Sequence, residues 1–211
     1  MRYYPIYLDL KGRDVLVVGG GAIAESKASQ LVEAGARVTV VSPDLTDALG
    51  AAVDRGEINH LKGSFTEENL NGAFLVISAT DDRKVNEQVA RGAKERGLLC
   101  NVVDQPDLCN FITPALVTRG GLQISVSTGG GSPTLTQRVK REVAALIGEE
   151  YGVLLELAAE MRAGAKQRIP DFERRKDALR AFVESDALDL IRAGRRDEAR
   201  DLTRRFLQDF E

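Results

Sequence analysis

The sequence has few of the residues that most often build metal sites and covalent active sites. It contains one histidine, His60, and two cysteines, Cys100 and Cys109, among its 211 residues. Any catalytic triad or multi-histidine metal cage would therefore depend on His60 alone, and a disulfide framework needs more cysteines and an oxidising compartment. We expect two reduced thiols, no structural zinc and no metal ligated by this chain.

The sequence also lacks long apolar runs and a strong excess of one charge. No run approaches the roughly 18 apolar residues of a membrane span, and the start "MRYYPIYLDLKGRD" has neither the apolar block nor the cleavage site of a secretory signal. The net charge of −3 argues against a nucleic-acid surface. We therefore expect a cytoplasmic protein that binds neither membrane nor nucleic acid.

The first half of the chain alternates short apolar runs with helical patterns. Helices are predicted over residues 22–34 and 83–96, and either Asp81 or Asp82 is expected to cap the second one. Strands are predicted in "DVLVVGG", "RVTVVS", "INHLKG", "AFLVISAT" and "LLCNVV". This alternation predicts an α/β fold, a Rossmann-like doubly wound parallel sheet with helices on both faces.

The second half changes from this alternation to helices alone. One further strand is predicted in "LQISVST", followed by a helix that Ser132 caps and Pro133 begins. Beyond Tyr151 the patterns are those of amphipathic helices, interrupted at Pro170 and Gly194. We therefore expect an all-α C-terminal region.

A glycine loop after the first strand is the first candidate site. Gly19, Gly21 and Ala24 form the pattern G-x-G-x-x-A. The first glycine permits a tight turn, the second lets the backbone approach a pyrophosphate, and the small third residue lets the helix pack close to the strand. The helix start at Ala22 and Ile23 would supply free N–H groups to the phosphates. Together these residues predict dinucleotide binding, with an ordinary strand-to-helix turn as the alternative.

The ends of two other strands complete the predicted cofactor site. The usual acidic ribose ligand is missing from the tip of the second strand, which reads Ser42 and Pro43. Either Asp44, displaced by the turn, or the hydroxyl and backbone of Ser42 could take its place. No arginine stands between residues 42 and 46 to meet a 2′-phosphate, which favours NAD over NADP. The backbone of Ala79 and Thr80 is expected to contact the adenosine half of the cofactor.

Three stretches together carry a resemblance to a known family. They are "VVGGGAIAESKASQLVEAGARVTVVSP", "ISATDDRKVNEQVARGAKERGLLCNVVDQPDLCNFITPA" and "ISVSTGGGSPTLTQRVKRE". In order and spacing they resemble the precorrin-2 dehydrogenase and sirohydrochlorin ferrochelatase family, which includes the N-terminal region of siroheme synthase. The resemblance covers residues 1 to about 150, and the helical tail is consistent with it.

The resemblance implies that the chain oxidises precorrin-2 to sirohydrochlorin with NAD, in siroheme biosynthesis. Some members also insert Fe²⁺ into sirohydrochlorin, and this second activity stays open here. A homodimer is implied, with an NAD-binding Rossmann domain over residues 1–113, a dimerisation and substrate segment over 114–150 and a helical domain over 151–211. We expect the methyltransferase domain of the fused enzymes to be absent, so that another protein supplies precorrin-2.

Asp104 matches the catalytic aspartate of that family, which is proposed to act as a base. A carboxylate at a strand end beside the nicotinamide half of the crevice can accept a proton as the hydride leaves. Many relatives carry a second acid at the next position, where this sequence has Gln105. The alternative is that Asp104 caps the following turn. Asn101, at the end of the same predicted strand, is expected to contact the substrate.

The segment "STGGGSP" is the second glycine loop and a candidate anion site. The hydroxyls of Ser127, Thr128 and Ser132, with the N–H groups of Gly129, Gly130 and Gly131, would form a nest for the many carboxylates of a tetrapyrrole. The basic residues that follow, Arg138, Lys140 and Arg141, would flank it. Thr128 stands where some fused enzymes have a serine that can be phosphorylated. The alternative is a helix cap beside a flexible glycine hinge.

Two other functions are compatible with the first glycine loop. A Rossmann domain with a helical tail could be a non-catalytic, NAD-binding regulatory module, but this leaves Asp104 and "STGGGSP" without a task. The chain could also be a dimeric scaffold that binds NAD without turnover.

Overall fold

The computed structural model describes residues 2–211. The chain divides into two compact units, one that ends at Thr113 and one that runs from Pro114 to Glu211.

The first unit contains one parallel sheet, as the sequence predicts. Its strand order is β3-β2-β1-β4-β5, and every neighbouring pair is parallel. The strands are β1 (Asp14–Val18), β2 (Arg37–Ser42), β3 (Ile58–Lys62), β4 (Leu75–Ser78) and β5 (Leu99–Val102). The sheet grows outward from β1 in both directions, so the strand order reverses between β1 and β4, where doubly wound folds bind their ligands.

Helices cover both faces of this sheet. The two predicted helices are present as α1 (Ala22–Glu33) and α3 (Arg83–Glu95), with Asp82 as the cap of α3. A third helix, α2 (Asp47–Asp54), stands where the sequence suggested only a turn. The side chain of Thr46 caps it by accepting a hydrogen bond from the N–H of Leu49.

The alternation of buried side chains along β1 explains why the sheet needs helices on both sides. Val15 and Val17 pack into one apolar cluster that includes α1, whereas Leu16 and Val18 pack into another that includes α3. A strand buried on both faces reads as a continuous apolar run, which is what "VLVV" shows. The doubly wound prediction is therefore confirmed.

The second unit begins with a hairpin of β6 (Ala115–Arg119) and β7 (Leu122–Val126), which pair antiparallel. Only β7 was predicted, because the alternation in "ALVTR" is too short to stand out from its surroundings. The predicted helix follows as α4 (Pro133–Leu146), capped by Ser132. None of its residues is buried.

The rest of the second unit is helical, as predicted. Its core contains Leu157, Met161 and Phe182, and Phe182 meets Phe206 edge to face. The helices are α5 (Glu150–Arg168), α6 (Phe172–Val183), α7 (Ala187–Arg192) and α8 (Arg196–Asp209). The short α7 was not predicted. Among residues 2–211, no helix is both long enough and apolar enough to cross a membrane.

Candidate functional site

The first glycine loop is shaped by close contacts with two neighbouring strands. Gly19 donates its N–H to the carbonyl of Val41 over 2.9 Å and has a positive φ of 117°. A Cβ on Gly19 would overlap the carbonyl oxygen of Ala79, and a Cβ on Gly20 would overlap the carbonyl oxygen of Asp44. Neither position can therefore hold a side chain without moving the backbone of β2 or β4.

Gly21 differs from its two neighbours because a Cβ there would meet no atom of the chain within 4 Å. It is the N-cap of α1 and brings no capping side chain. The first N–H groups of a helix have no partner within the helix, and the helix dipole favours negative charge at that end. The backbone around Gly21 therefore offers an open, electropositive approach that suits a pyrophosphate.

A cleft of about 340 Å³ lies over this loop at the carboxyl ends of the strands. Six of the predicted cofactor residues line it, namely Gly19, Gly21, Ser42, Pro43, Ala79 and Thr80. The other lining residues are Val18, Gly20, Val41, Gly63, Ser64, Phe65, Asp81, Asp82 and Val85. No lysine or arginine is among them, so the cleft offers no cationic side chain for a 2′-phosphate.

Four predicted residues lie outside this lining. Ala24 is fully buried and packs in the apolar cluster beneath α1, which is the role that its small size predicts. Ala22 and Ile23 are exposed on the first turn of α1. Asp44 is also exposed, and its carboxylate forms no hydrogen bond or ion pair within residues 2–211.

The turn after β2 arranges Ser42 differently from the prediction. Its hydroxyl donates to the carbonyl of Asp44 over 2.5 Å, and the residue is buried. The hydroxyl proton therefore holds the turn, and the oxygen keeps its lone pairs as an acceptor. A ribose contact through Ser42 or Asp44 stays a prediction.

Three of the cleft residues that the sequence did not predict come from the loop after β3. Gly63, Ser64 and Phe65 follow this strand and line the cleft beside Ser42, and the N–H of Gly63 donates to the carbonyl of Ser42 over 3.1 Å. The run "INHLKG" predicted the strand but not its place in the sheet. Because β3 pairs with β2, the loop after it reaches the same edge.

Asp104 lies two residues beyond β5, in a turn closed by the N–H of Gln105 and the carbonyl of Val102. It has a φ of 59° and is the one residue other than glycine with a positive φ within residues 2–211. Its carboxylate is exposed and forms no hydrogen bond or ion pair in that part of the chain. The side chain of Asp104 therefore does not cap this turn.

Asn101 is placed inside this loop. It is buried, and its Nδ2 donates to the carbonyl of Phe111 over 3.1 Å. The amide thus ties the far end of the loop to β5, which differs from the predicted role at the substrate. A direct contact between Asn101 and a substrate stays a prediction.

Two thiols lie at the base of the same loop. Burial raises the pKa of Cys100 to about 11 and also raises the pKa of Cys109. Both are free cysteines, as predicted, and both stay protonated at neutral pH. Within residues 2–211 no group of three or more histidine, cysteine or acidic side chains is arranged to hold a metal ion.

The second glycine loop satisfies most of its own polar groups. The hydroxyl of Ser127 accepts from the N–H of Gly129 over 3.0 Å, and the N–H of Gly131 donates to the carbonyl of Thr128 over 3.1 Å. Thr128 Oγ1 accepts from the N–H of Ser132 over 3.0 Å. The alternative of a helix cap beside a glycine hinge describes these contacts well.

Part of the predicted anion nest remains. The N–H of Gly130 has no partner within residues 2–211, and nothing lies within 4 Å of where its Cβ would be. The nearby Arg138 is paired with Glu142 over 2.9 Å on the exposed face of α4. Anion binding at this loop stays a prediction with fewer free donors than the sequence suggested.

Family models match almost the whole chain. Residues 6–115 match a family described as "Putative NAD(P)-binding". Residues 119–146 match the central region of a sirohaem biosynthesis protein. Residues 150–207 match a sirohaem synthase dimerisation region.

Known proteins with similar sequences or structures agree with these matches. The chain is 41% identical to siroheme synthase of Thioalkalivibrio sulfidiphilus over 208 residues, which are 99% of this chain and 42% of that protein. It is 46% identical to siroheme synthase of Methylobacillus flagellatus over 83% of this chain and 38% of that protein. The solved structure of SirC, a precorrin-2 dehydrogenase, covers 99% of this chain and 98% of its own at 29% identity, with a TM-score of 0.81. The chain thus spans about two fifths of the siroheme synthases.

Proposed function

Because the chain belongs to the NAD(P)-binding family whose model covers residues 6–115, we propose that it is an NAD-dependent dehydrogenase that converts precorrin-2 into sirohydrochlorin. One observation carries the proposal: an unpaired carboxylate, Asp104, and a glycine-lined cleft follow strand ends at the same edge of the sheet. A precorrin-2 dehydrogenase shares this fold over nearly the full length of both chains.

The lack of side chains along the glycine loop supports NAD binding in the cleft. Gly19 and Gly20 keep side chains away from the turn, and Gly21 leaves open space in front of the helix N-terminus. The absence of lysine and arginine from the lining supports NAD over NADP. When bound, NAD accepts a hydride, and the protein orients the substrate and manages the proton.

Asp104 is the base in this proposal. Oxidation of a C–H bond by hydride loss leaves a proton to be removed, and a carboxylate without a resident partner can receive it. The positive φ of Asp104 supports the assignment, because strained backbone at a non-glycine residue often marks a functional position. The loop therefore supplies the proton acceptor, and the glycine turn supplies the cofactor site.

The second unit contributes the dimer and part of the substrate site in this proposal. α4 buries none of its residues and exposes Leu135 and Leu146, which supports packing against a second copy. The free N–H of Gly130 supports a contact with a substrate carboxylate. The three domains over residues 1–113, 114–150 and 151–211 belong to the same proposal. So does a cytoplasmic location, which the two free thiols support.

The test is turnover of precorrin-2 with NAD, followed by the absorbance of NADH and of sirohydrochlorin. Replacing Asp104 with asparagine should lower kcat by about 10²- to 10⁴-fold and leave the Kd for NAD within twofold. A wild-type protein that binds NAD but produces neither chromophore would rule out the dehydrogenase and favour the non-catalytic regulatory module or scaffold. An Asp104→Asn variant as fast as the wild type would refute the base assignment alone.

Iron insertion needs its own assay because it requires no NAD. Sirohydrochlorin is mixed with Fe²⁺ or Co²⁺ and the protein, and the loss of its free-base spectrum is compared with a protein-free control. Faster loss with the protein would extend the proposal to a ferrochelatase; equal rates would restrict it to the dehydrogenase.

A further inference from the structure

The loop that carries Asp104 folds back along the free edge of the sheet. β5 is the last strand, so its outer N–H and C=O groups have no neighbouring strand. Such an edge needs other partners for its backbone groups. The side chains of Asn110 and Cys109 provide them.

Asn110 covers the middle of this edge. Its Oδ1 accepts from the N–H of Cys100 over 2.8 Å, and its Nδ2 donates to the carbonyl of Leu98 over 2.7 Å. Its own N–H donates to the carbonyl of Cys100 over 3.0 Å. One asparagine thus does what a residue of a sixth strand would do.

Cys109 covers the last residue of the strand. Its Sγ accepts from the N–H of Val102 over 3.1 Å and lies 3.2 Å from the carbonyl of Val102, to which it can donate. The carbonyl of Gln105 is a second acceptor at 3.3 Å. The thiol therefore contacts both ends of the turn 102–105, and Asp104 sits inside that turn.

The turn holds Asp104 in a conformation that it would not choose alone. Left-handed backbone costs most residues roughly 1–2 kcal/mol and aspartate less, and the remaining positive-φ positions within residues 2–211 are all glycines. Without the contacts of Cys109 Sγ, the turn would relax toward other backbone conformations. The backbone position from which the Asp104 side chain extends would then no longer be fixed.

We propose that Cys109 is a positioning residue, whose thiol clamps the turn 102–105 and so aims the carboxylate of Asp104 at the substrate. This inference rests on the proposed dehydrogenase function. The raised pKa of Cys109 agrees with it, because the neutral thiol can donate to a carbonyl and a thiolate cannot. The thiol itself takes no part in the redox chemistry.

The experiment combines Cys109→Ala with Asp104→Asn in a double-mutant cycle. Cys109→Ala should lower kcat about tenfold or more, because small displacements of a catalytic group cost one to two orders of magnitude, with the Kd for NAD unchanged. In the Asp104→Asn variant, whose slow turnover is followed over hours, Cys109→Ala should alter kcat less than twofold. Cys109→Ser, which can still donate and accept, should restore most of the rate.

Hydrogen–deuterium exchange provides a readout that does not depend on turnover. Cys109→Ala should raise exchange over residues 102–111 and leave the strands β1 and β2 unchanged. Asp107→Asn is the charge control, since Asp107 is exposed in the same loop and acts on Cys109 only through its charge, which helps to raise the pKa of the thiol. It leaves the hydrogen bonds of Cys109 in place and should change neither exchange nor kcat.

The outcomes separate this inference from the proposed function. Equal losses of kcat from Cys109→Ala in both backgrounds, or unchanged exchange over residues 102–111, would overturn the inference while the dehydrogenase stands. A wild-type protein that converts no precorrin-2 would overturn the proposed dehydrogenase function and, with it, the role of Cys109 in positioning Asp104.

Discussion

The chain contains the tripeptide Gly-Gly-Gly twice, and the two loops differ in what makes glycine necessary. At residues 19–21 the backbones of β2 and β4 press against the first two glycines, and the third faces an open cleft. In the second loop a Cβ on Gly130 would meet nothing within 4 Å, and one on Gly131 would lie 3.2 Å from the carbonyl oxygen of Thr128. The N–H of Gly129 is bonded by the hydroxyl of Ser127 and that of Gly131 by the carbonyl of Thr128. The same tripeptide therefore lines an open cleft in the first loop, whereas in the second loop two of its three N–H groups are bonded within the loop itself.

The largest expected effect comes from adding a methyl group where the first loop is most crowded. Gly19→Ala places a Cβ against the carbonyl of Ala79 at a positive φ, and we expect a loss of roughly 3 kcal/mol in the free energy of unfolding. Gly130→Ala has the positive φ without the overlap and should cost only about 1 kcal/mol. Denaturant unfolding of both variants measures the two losses in the free energy of unfolding. Equal losses would mean that the first loop is no more crowded at Gly19 than the second loop is at Gly130.

The next effect concerns ligand binding without loss of stability. Gly21→Ala puts a methyl group into open space, so the fold should be unchanged, but the methyl would stand where a pyrophosphate approaches. We expect the Kd for NAD to rise at least about tenfold, or 1.4 kcal/mol. Calorimetry with NAD measures it, with Gly130→Ala as the control that keeps wild-type affinity. Unchanged affinity in Gly21→Ala would show that the pyrophosphate lies elsewhere.

Asp104 contrasts with the glycines of both loops, because it has a positive φ although it is not a glycine. Asp104→Gly relieves this strain, and the extra entropy of glycine in the unfolded chain offsets part of the gain, so we expect the free energy of unfolding to rise by roughly 0.5 kcal/mol. The same variant should lose turnover. A variant that is less stable than wild type would mean that the left-handed backbone costs Asp104 less than the entropy that glycine gains in the unfolded chain.

The smallest effect tests the second loop. Thr128→Val removes the hydroxyl that accepts from the N–H of Ser132, and we expect a loss of about 1 kcal/mol. Thr128→Ser keeps the hydroxyl and should stay within about 0.5 kcal/mol of wild type. Thermal unfolding distinguishes the two. If Thr128→Val is as stable as Thr128→Ser, the hydroxyl is available for another task, such as a bound carboxylate.

The sequence predicted β1, β2 and β4 because most of their residues are apolar and buried. β3 buries only Ile58 fully, and its prediction came from its place in the alternation of strands and helices. It predicted Gly19 and Gly21 because their spacing follows from the geometry of a strand-to-helix turn. It could not predict that Phe65 would join the cleft, because this depends on β3 pairing with β2. Contacts that depend on the order of strands in the sheet cannot be predicted from the spacing of residues within a short stretch of sequence.

The loop after β5 shows the same limit in another form. The substrate contact of Asn101 stays a prediction, and the sequence did not show that its amide donates to the carbonyl of Phe111. Cys109 and Asn110 read as ordinary loop residues, and their role becomes visible only when β5 is known to be the edge strand. The charge and position of Asp104 could be taken from the sequence; the strain in its backbone could not.

The most direct test of the central claim is an anaerobic reaction in which NAD is limiting and precorrin-2 is in excess. We expect one NADH and one sirohydrochlorin to appear together for each NAD consumed, and the two absorbance changes to correspond to equal rates of formation. Formation of sirohydrochlorin without NADH, or reduction of NAD without sirohydrochlorin, would contradict it.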